Sequence, residues 1–422
     1  MRTIIKKIKE KVVSLKKEGF FFIIIGNTLT KMLAFISSIV IVRLVSKNDY
    51  ACLSYADNIY LYISLISGLG MFSAVLKYCV SEDKKKNKAY FVFALKYGTF
   101  FQIFLCVILF FCTYIIKLPF SGAAYIIRIL SLFPILNYIF MVVQSYLRAR
   151  FNNKLFAMSG IIQAVSVLVF SVGLVYIMGM NGIIVARYIA LAISMIICVK
   201  FIKKDFDGIE TARLNKIEIK GFLALSISML LATLFSTVIP VNENFIVNNV
   251  IQSSNISANY KVANLIPSQL IFVTNSVMIF FFPIIAKIKH LKDVWKLSRK
   301  IGVCTFILIG ILCIIGMIFT PFIVKTVYGD SYSDAIWLSN AFWWVYFFNA
   351  GFRVVPMTIL PAIGFGTFNA IVSVITCLVH FSIDYISIST FGLSGAIYTT
   401  GIVYFLSGFV YWIYLYKKCK DR

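Results

Sequence analysis

Long apolar runs, broken by short polar connectors, cover almost the whole chain. They fall at roughly 19–43, 51–78, 89–116, 122–147, 155–178, 180–202, 220–241, 257–286, 300–324, 333–352, 357–383 and 391–416. Each is long enough to cross a hydrocarbon layer of about 30 Å, which takes roughly 20 residues of α-helix. The pattern therefore predicts an all-α integral membrane protein of about twelve spanning helices, with both termini on one side. The chain divides into a basic segment at 1–18, a six-helix bundle at 19–204, a linker at 205–219, a second six-helix bundle at 220–416 and a tail at 417–422.

The two halves echo each other. Gly179-Met-Asn-Gly182-Ile-Ile precedes the sixth run, and Gly392-Leu-Ser-Gly395-Ala-Ile precedes the twelfth. Both read as tight turns in which glycine supplies turn freedom and close helix approach. Their equivalent places in a six-plus-six layout predict pseudo-repeated bundles around a central cavity.

Composition agrees. Of 422 residues, 60% are hydrophobic and only 14% charged, more apolar surface than a soluble core of this size can hide. The formal charge of +25 changes the picture only by its placement, because the cations sit in connectors rather than in a nucleic-acid-binding patch. Alternate connectors and the termini carry 31 Lys and Arg, whereas the opposite set holds only Arg43, Lys47, Lys117 and Lys325. By the positive-inside rule, both termini are cytoplasmic. Residues 1–18 alternate lysines with Ile and Val, as in a basic helix lying on anionic lipid or a segment that fixes orientation. The first apolar run lacks a small-residue cleavage site and reads as an anchor.

Several function classes are excluded. No phosphate-binding G-x-x-x-x-G-K-[ST] loop occurs, and no connector is long enough to hold a nucleotide-binding domain. The nine cysteines form no C-x-x-C pair, and His290 and His380 add no metal-ligand spacing, so no cofactor is expected. Asp205-Phe-Asp207 mimics a sugar-transferase D-x-D, but its lysine-rich setting makes chance the better reading. A membrane polymerase needs a large outer loop, and the longest outer connector, roughly 242–256, is too short for one.

Three blocks carry a family resemblance. Asn27-Thr-Leu-Thr-Lys31 through Arg43-Leu-Val-Ser-Lys-Asn-Asp49-Tyr50, followed by Ile66-Ser-Gly68-Leu-Gly70-Met-Phe-Ser-Ala74, resembles the opening of Wzx-type polysaccharide flippases. These belong to the multidrug/oligosaccharidyl-lipid/polysaccharide (MOP) exporter superfamily. Glu243-Asn-Phe-Ile-Val through Tyr260-Lys-Val-Ala263 to Phe282-Pro283 resembles the family's seventh and eighth helices. Leu360-Pro361-Ala362 with Gly364, then Phe391-Gly392-Leu-Ser-Gly395-Ala396, resembles its last pair. The chain departs at Glu243, where Asp is common, and at Ala51, where Gly is common.

The resemblance implies a MATE-like fold in a bacterial inner membrane and no enzymatic activity. It also implies a substrate made of an isoprenoid diphosphate bearing an oligosaccharide, flipped by alternating access, with membrane lipids around it. A polysaccharide polymerase and chain-length machinery are candidate partners, nucleic acid is not, and H+ or Na+ is the candidate coupling ion. The alternative within the superfamily is a cation-coupled multidrug exporter.

Ionisable groups inside spans are costly, and their default reading is functional. The candidate cavity cations for a diphosphate are Lys31, Arg128, Arg187, Lys261 and Arg353; the candidate coupling or gating carboxylates are Asp57, Glu243 and Asp384. Lys31 stands mid-span, beyond the reach of snorkelling, while Arg353 reads as a connector residue at a span end. Glu243 and Lys261 read as flanking the connector between spans seven and eight. Gly26, Gly70, Pro267 and Pro361 are candidate hinges for a rocking bundle.

Overall fold

A computed structural model describes residues 20–285, 288 and 290–420, so the basic segment 1–18 lies outside the described residues. The described chain is all helical: α1 Phe20–Leu44, α2 Lys47–Tyr78, α3 Lys84–Ile115, α4 Ala123–Ala149, α5 Asn153–Met178 and α6 Met180–Asp205. These are followed by α7 Lys216–Ile251, α8 254–285, α9 Leu291–Tyr328, α10 335–362, α11 Gly366–Phe391 and α12 Leu393–Lys420. Among the described residues, nine helices are long and apolar enough to cross a membrane. Their outward faces carry stacked large apolar side chains, such as Phe100, Phe104 and Phe111 on α3 and Ile311, Ile318 and Phe322 on α9. In water such faces would be exposed patches; in lipid they are the solvent-matched surface.

The chain folds as two compact units that divide within α7, one up to Leu234 and one from Phe235. In the first, α1 lies along α5, and a Cβ on Gly26 would stand 2.5 Å from Ala157 Cβ, so this glycine sits at a close helix contact. The core gathers Tyr138, Tyr146, Leu147, Leu191 and Phe222. α2 breaks at Ser67–Gly70, where Gly68, Leu69 and Gly70 have φ of 51°, 52° and 72°. The break is satisfied rather than loose. Gln102 Oε1 accepts from Ser67 Oγ at 3.0 Å and from the Gly68 amide at 3.2 Å. The Tyr138 ring wedges beside Gly68, and its hydroxyl donates to Ala94 O at 2.8 Å, in the π-helical turn of α3. In the second unit, α9, α10 and α12 pack around Ile301, Val355, Ile359, Tyr411 and Leu415, and α8 breaks at Pro267.

The internal echo is a shared backbone geometry. Gly179 (φ 57°, ψ −136°) ends α5 and Gly392 (φ 61°, ψ −139°) ends α11. In each turn the second glycine donates to the first, Gly182 to Gly179 and Gly395 to Gly392, both at 3.0 Å.

Two helix ends differ from the sequence reading for one physical reason. The polar run Asn242-Glu-Asn244 reads as a loop, yet α7 continues to Ile251 and only residues 252–253 separate it from α8. The side-chain amide of Asn244 donates to Pro240 O at 2.7 Å and that of Asn249 to Phe245 O at 2.8 Å, so these asparagines are met on the helix itself, while the Glu243 carboxylate is met by Tyr260 and Thr400 from α8 and α12. Glu243 is accordingly inside a helix, not beside a connector. Likewise Arg353 is no connector residue. It is 4% exposed within α10, in the π-helical segment Phe347–Arg353, and the true break falls at 363–365. Pro361 thus ends α10 instead of bending α11, and Asp384 lies well inside α11.

Candidate functional site

The second unit buries a chain of ionisable and hydroxyl side chains that no apolar bundle needs for packing. Glu243 on α7 is 4% exposed and accepts from the Tyr260 hydroxyl of α8 and from Thr400 Oγ1 of α12, the latter at 2.8 Å. Thr400 gives its only proton to that carboxylate, so its oxygen accepts from Nε2–H of His380 on α11, 2.9 Å away. His380 Nδ1 has no hydrogen-bond partner among the described residues. One turn along α11 stands Asp384, fully buried, with neither carboxylate oxygen hydrogen-bonded among the described residues. Glu243 and Asp384 are thus both buried within the second unit.

Arg353 supplies the positive end. Its Nη1 donates to Asn349 Oδ1 at 3.3 Å and its guanidinium lies 5.1 Å from the Tyr404 ring centroid, while Nε and Nη2 have no described partner. Two carboxylates and an arginine held in one apolar interior are too costly to be incidental, because each unpaired charge there carries a penalty of several kcal/mol. Among the described residues, no three His, Cys, Asp or Glu converge as a metal site. The arrangement is chemically suited to taking up and releasing a small cation, with Glu243 held by two donors and Asp384 open.

The first unit treats its candidates differently. Arg187 and Asp57 form a two-pronged pair between α6 and α2, at 2.5 and 2.9 Å. Arg128 donates to Thr113 Oγ1 at 2.8 Å and Thr113 O at 3.0 Å and stacks 3.6 Å from the Tyr114 ring centroid, capping the end of α3. Lys31 is exposed on α1, one turn beyond the exposed Asn27. Lys261 is half-buried on α8. Within its unit, Arg128 and Arg187 are thus held on separate partners rather than gathered at one site.

Sequence reasoning missed His380, Tyr260, Thr400 and Tyr404. The available signal was the spacing of His380 and Asp384, four residues apart on one face of a span. The D-x-D segment is structural at its first residue: Asp205 accepts from the Tyr146 hydroxyl and pairs with Lys84 at 3.4 Å and Arg150 at 3.5 Å.

Residues 17–289 match the family described as polysaccharide biosynthesis protein. No curated protein matches the sequence. Solved structures of the same fold include an inward-facing multidrug resistance MATE family transporter of the MOP superfamily. It has 15% identity and a TM-score of 0.70, over 93% of this chain and 94% of that one. A second is a MOP superfamily transporter from Pyrococcus furiosus whose binding pocket is described as reversed in polarity, suggesting a different function. It is 14% identical with a TM-score of 0.69, over 95% of this chain and 94% of that one. A MATE in complex with MaL6 is also 14% identical with a TM-score of 0.69, over 95% of each chain.

Proposed function

The chain belongs to the polysaccharide biosynthesis protein family, and from that premise we propose that it is a flippase for an isoprenoid-diphosphate-linked oligosaccharide. It is a multi-pass membrane protein with the MOP-superfamily fold, and a transporter rather than an enzyme. On this reading it carries the lipid-linked sugar from the cytoplasmic to the outer leaflet by alternating access, in a bacterial inner membrane. A polysaccharide polymerase would then use the product.

The family match over 17–289 is the observation that carries the reading. The buried chain in the second unit supports the mechanism: Glu243 and Asp384 bind the coupling cation, and Thr400 and His380 relay its arrival to α11 and α12. A proton suits this site better than a metal ion, given that no three ligating side chains converge among the described residues.

Reconstituted vesicles test this. Wild-type protein should move a synthetic isoprenyl diphosphate disaccharide between leaflets, faster under an imposed proton gradient, and Glu243→Gln should remove the response to the gradient. No movement by wild-type protein would refute the flippase.

A second reading, a cation-coupled exporter of small cationic amphiphiles, is favoured by two observations. Solved structures of this fold include multidrug resistance MATE family transporters, and Asp57 offsets the charge of Arg187. Resistance to such compounds on overexpression, without movement of the lipid-linked sugar, would establish it.

A further inference from the structure

One end of the second unit carries a recess of about 470 Å³, lined by apolar as well as polar side chains, that the buried chain does not use. It is framed by the α7–α8 connector, the start of α10 and the α11–α12 turn, and it is lined by Asn255, Asn259, Asp334, Trp337, Phe391 and Ser394. The volume falls in the roughly 300–1,000 Å³ range of small-ligand sites.

Trp337 is 51% exposed and presents an indole to the recess. Asn255 and Asn259 lie one turn apart on α8 and line the same hollow. Asn259 is 4% exposed, and its Oδ1 has no hydrogen-bond partner among the described residues. A buried amide oxygen without a partner, on a residue that lines the recess, is an acceptor left for a donor from water or a bound molecule. The carboxylate of Asp334 adds an acceptor at the rim.

A phosphate would meet Asp334 and no lining cation. A pyranose ring fits all of these groups: its C–H face stacks on an indole, and its hydroxyls both donate to and accept from amides and a carboxylate. We infer that this recess is a saccharide-binding subsite, with Trp337 as its platform and Asn259 and Asp334 as its hydrogen-bonding groups. The inference rests on the proposed sugar-bearing substrate and places the contact with its glycan at this end of the second unit.

Saturation-transfer NMR on the full-length protein in detergent tests it, with the methyl glycosides of glucose, galactose, N-acetylglucosamine and rhamnose as probes. At least one should bind saturably. Trp337→Ala should weaken binding roughly 3- to 10-fold, Trp337→Phe should keep most of it, and Asn259→Ala should weaken it again. Because Trp337 is exposed, its replacement leaves the core intact, which a monodisperse elution profile verifies. If none of the four glycosides binds, or if Trp337→Ala binds as wild type does, the subsite is wrong. Binding of ethidium at Trp337 in place of any sugar also overturns it. Leaflet transfer of the synthetic isoprenyl diphosphate disaccharide by the same preparation separates the two claims. Transfer without a sugar site at Trp337 sinks only the subsite, and a sugar site without transfer sinks only the flippase.

Discussion

Asp57 and Arg187 hold one another by two hydrogen bonds, with 37% and 17% of their side-chain surfaces exposed. Removing one partner strands the other in a span. For a fully buried pair that costs about 3–5 kcal/mol, and for exposed pairs about 0–1, so partial exposure sets an expected loss of about 1–3 kcal/mol. Asp57→Asn and Arg187→Gln should each lower the midpoint temperature of unfolding in detergent, and the double variant should lose less than the two losses together. Simple additivity of the two losses would show that the pair contributes nothing as a pair. Both residues are visible in the sequence as costly intramembrane charges, but their partnership is not, because it joins positions 57 and 187 across the bundle. The same holds for Glu243, whose partners Tyr260 and Thr400 come from two other helices. Ionisable groups announce themselves by their cost; hydroxyls that serve them look like ordinary span residues.

At the scale of helices, the repeated turn explains why its second glycine is required. A Cβ on Gly182 would lie 2.3 Å from Leu174 O, and one on Gly395 would lie 2.1 Å from Ser387 O. These are backbone atoms, which cannot step aside as a side chain can. Gly182→Ala and Gly395→Ala should therefore each cost at least the roughly 1–3 kcal/mol typical of overpacking. Gly173→Ala, in the same α5 with nothing within 4 Å of its Cβ, should be neutral or stabilising by up to about 1 kcal/mol. Detergent-extracted monodisperse yield and unfolding temperature compare the three, and equal behaviour would remove the steric account. This turn was readable in advance because glycine spacing is a local signal. The ends of α7 and α10 were not. Hydropathy takes Glu243 and Arg353 for loop residues, since it registers their polarity and not the Tyr260, Thr400 and Asn349 groups that meet them inside the bundle.

For the whole molecule, the strongest untested consequence of the sequence is its orientation. Moving Arg353 from a connector into α10 leaves the charge asymmetry standing, because the lysine-rich ends do not depend on it. One of those ends is built as well as charged. The segment after α6 and the first turn of α7 are tied to the start of α3 by Lys85–Glu210 at 3.0 Å, by Lys86–Glu218 at 2.7 Å and by Lys88 Nζ donating to Ile209 O at 2.5 Å. If the positive-inside rule holds, this end faces the cytoplasm and the α9–α10 connector faces outward. Asp207 and Ser331 are exposed on these two connectors, so single cysteines at those positions in a background lacking the nine native cysteines report the two faces. Ser331→Cys should react with a membrane-impermeant maleimide in intact cells, and Asp207→Cys only after permeabilisation. Labelling of both in intact cells would break the alternation of spans, and the reverse pattern would invert the direction in which the proposed flippase delivers its cargo.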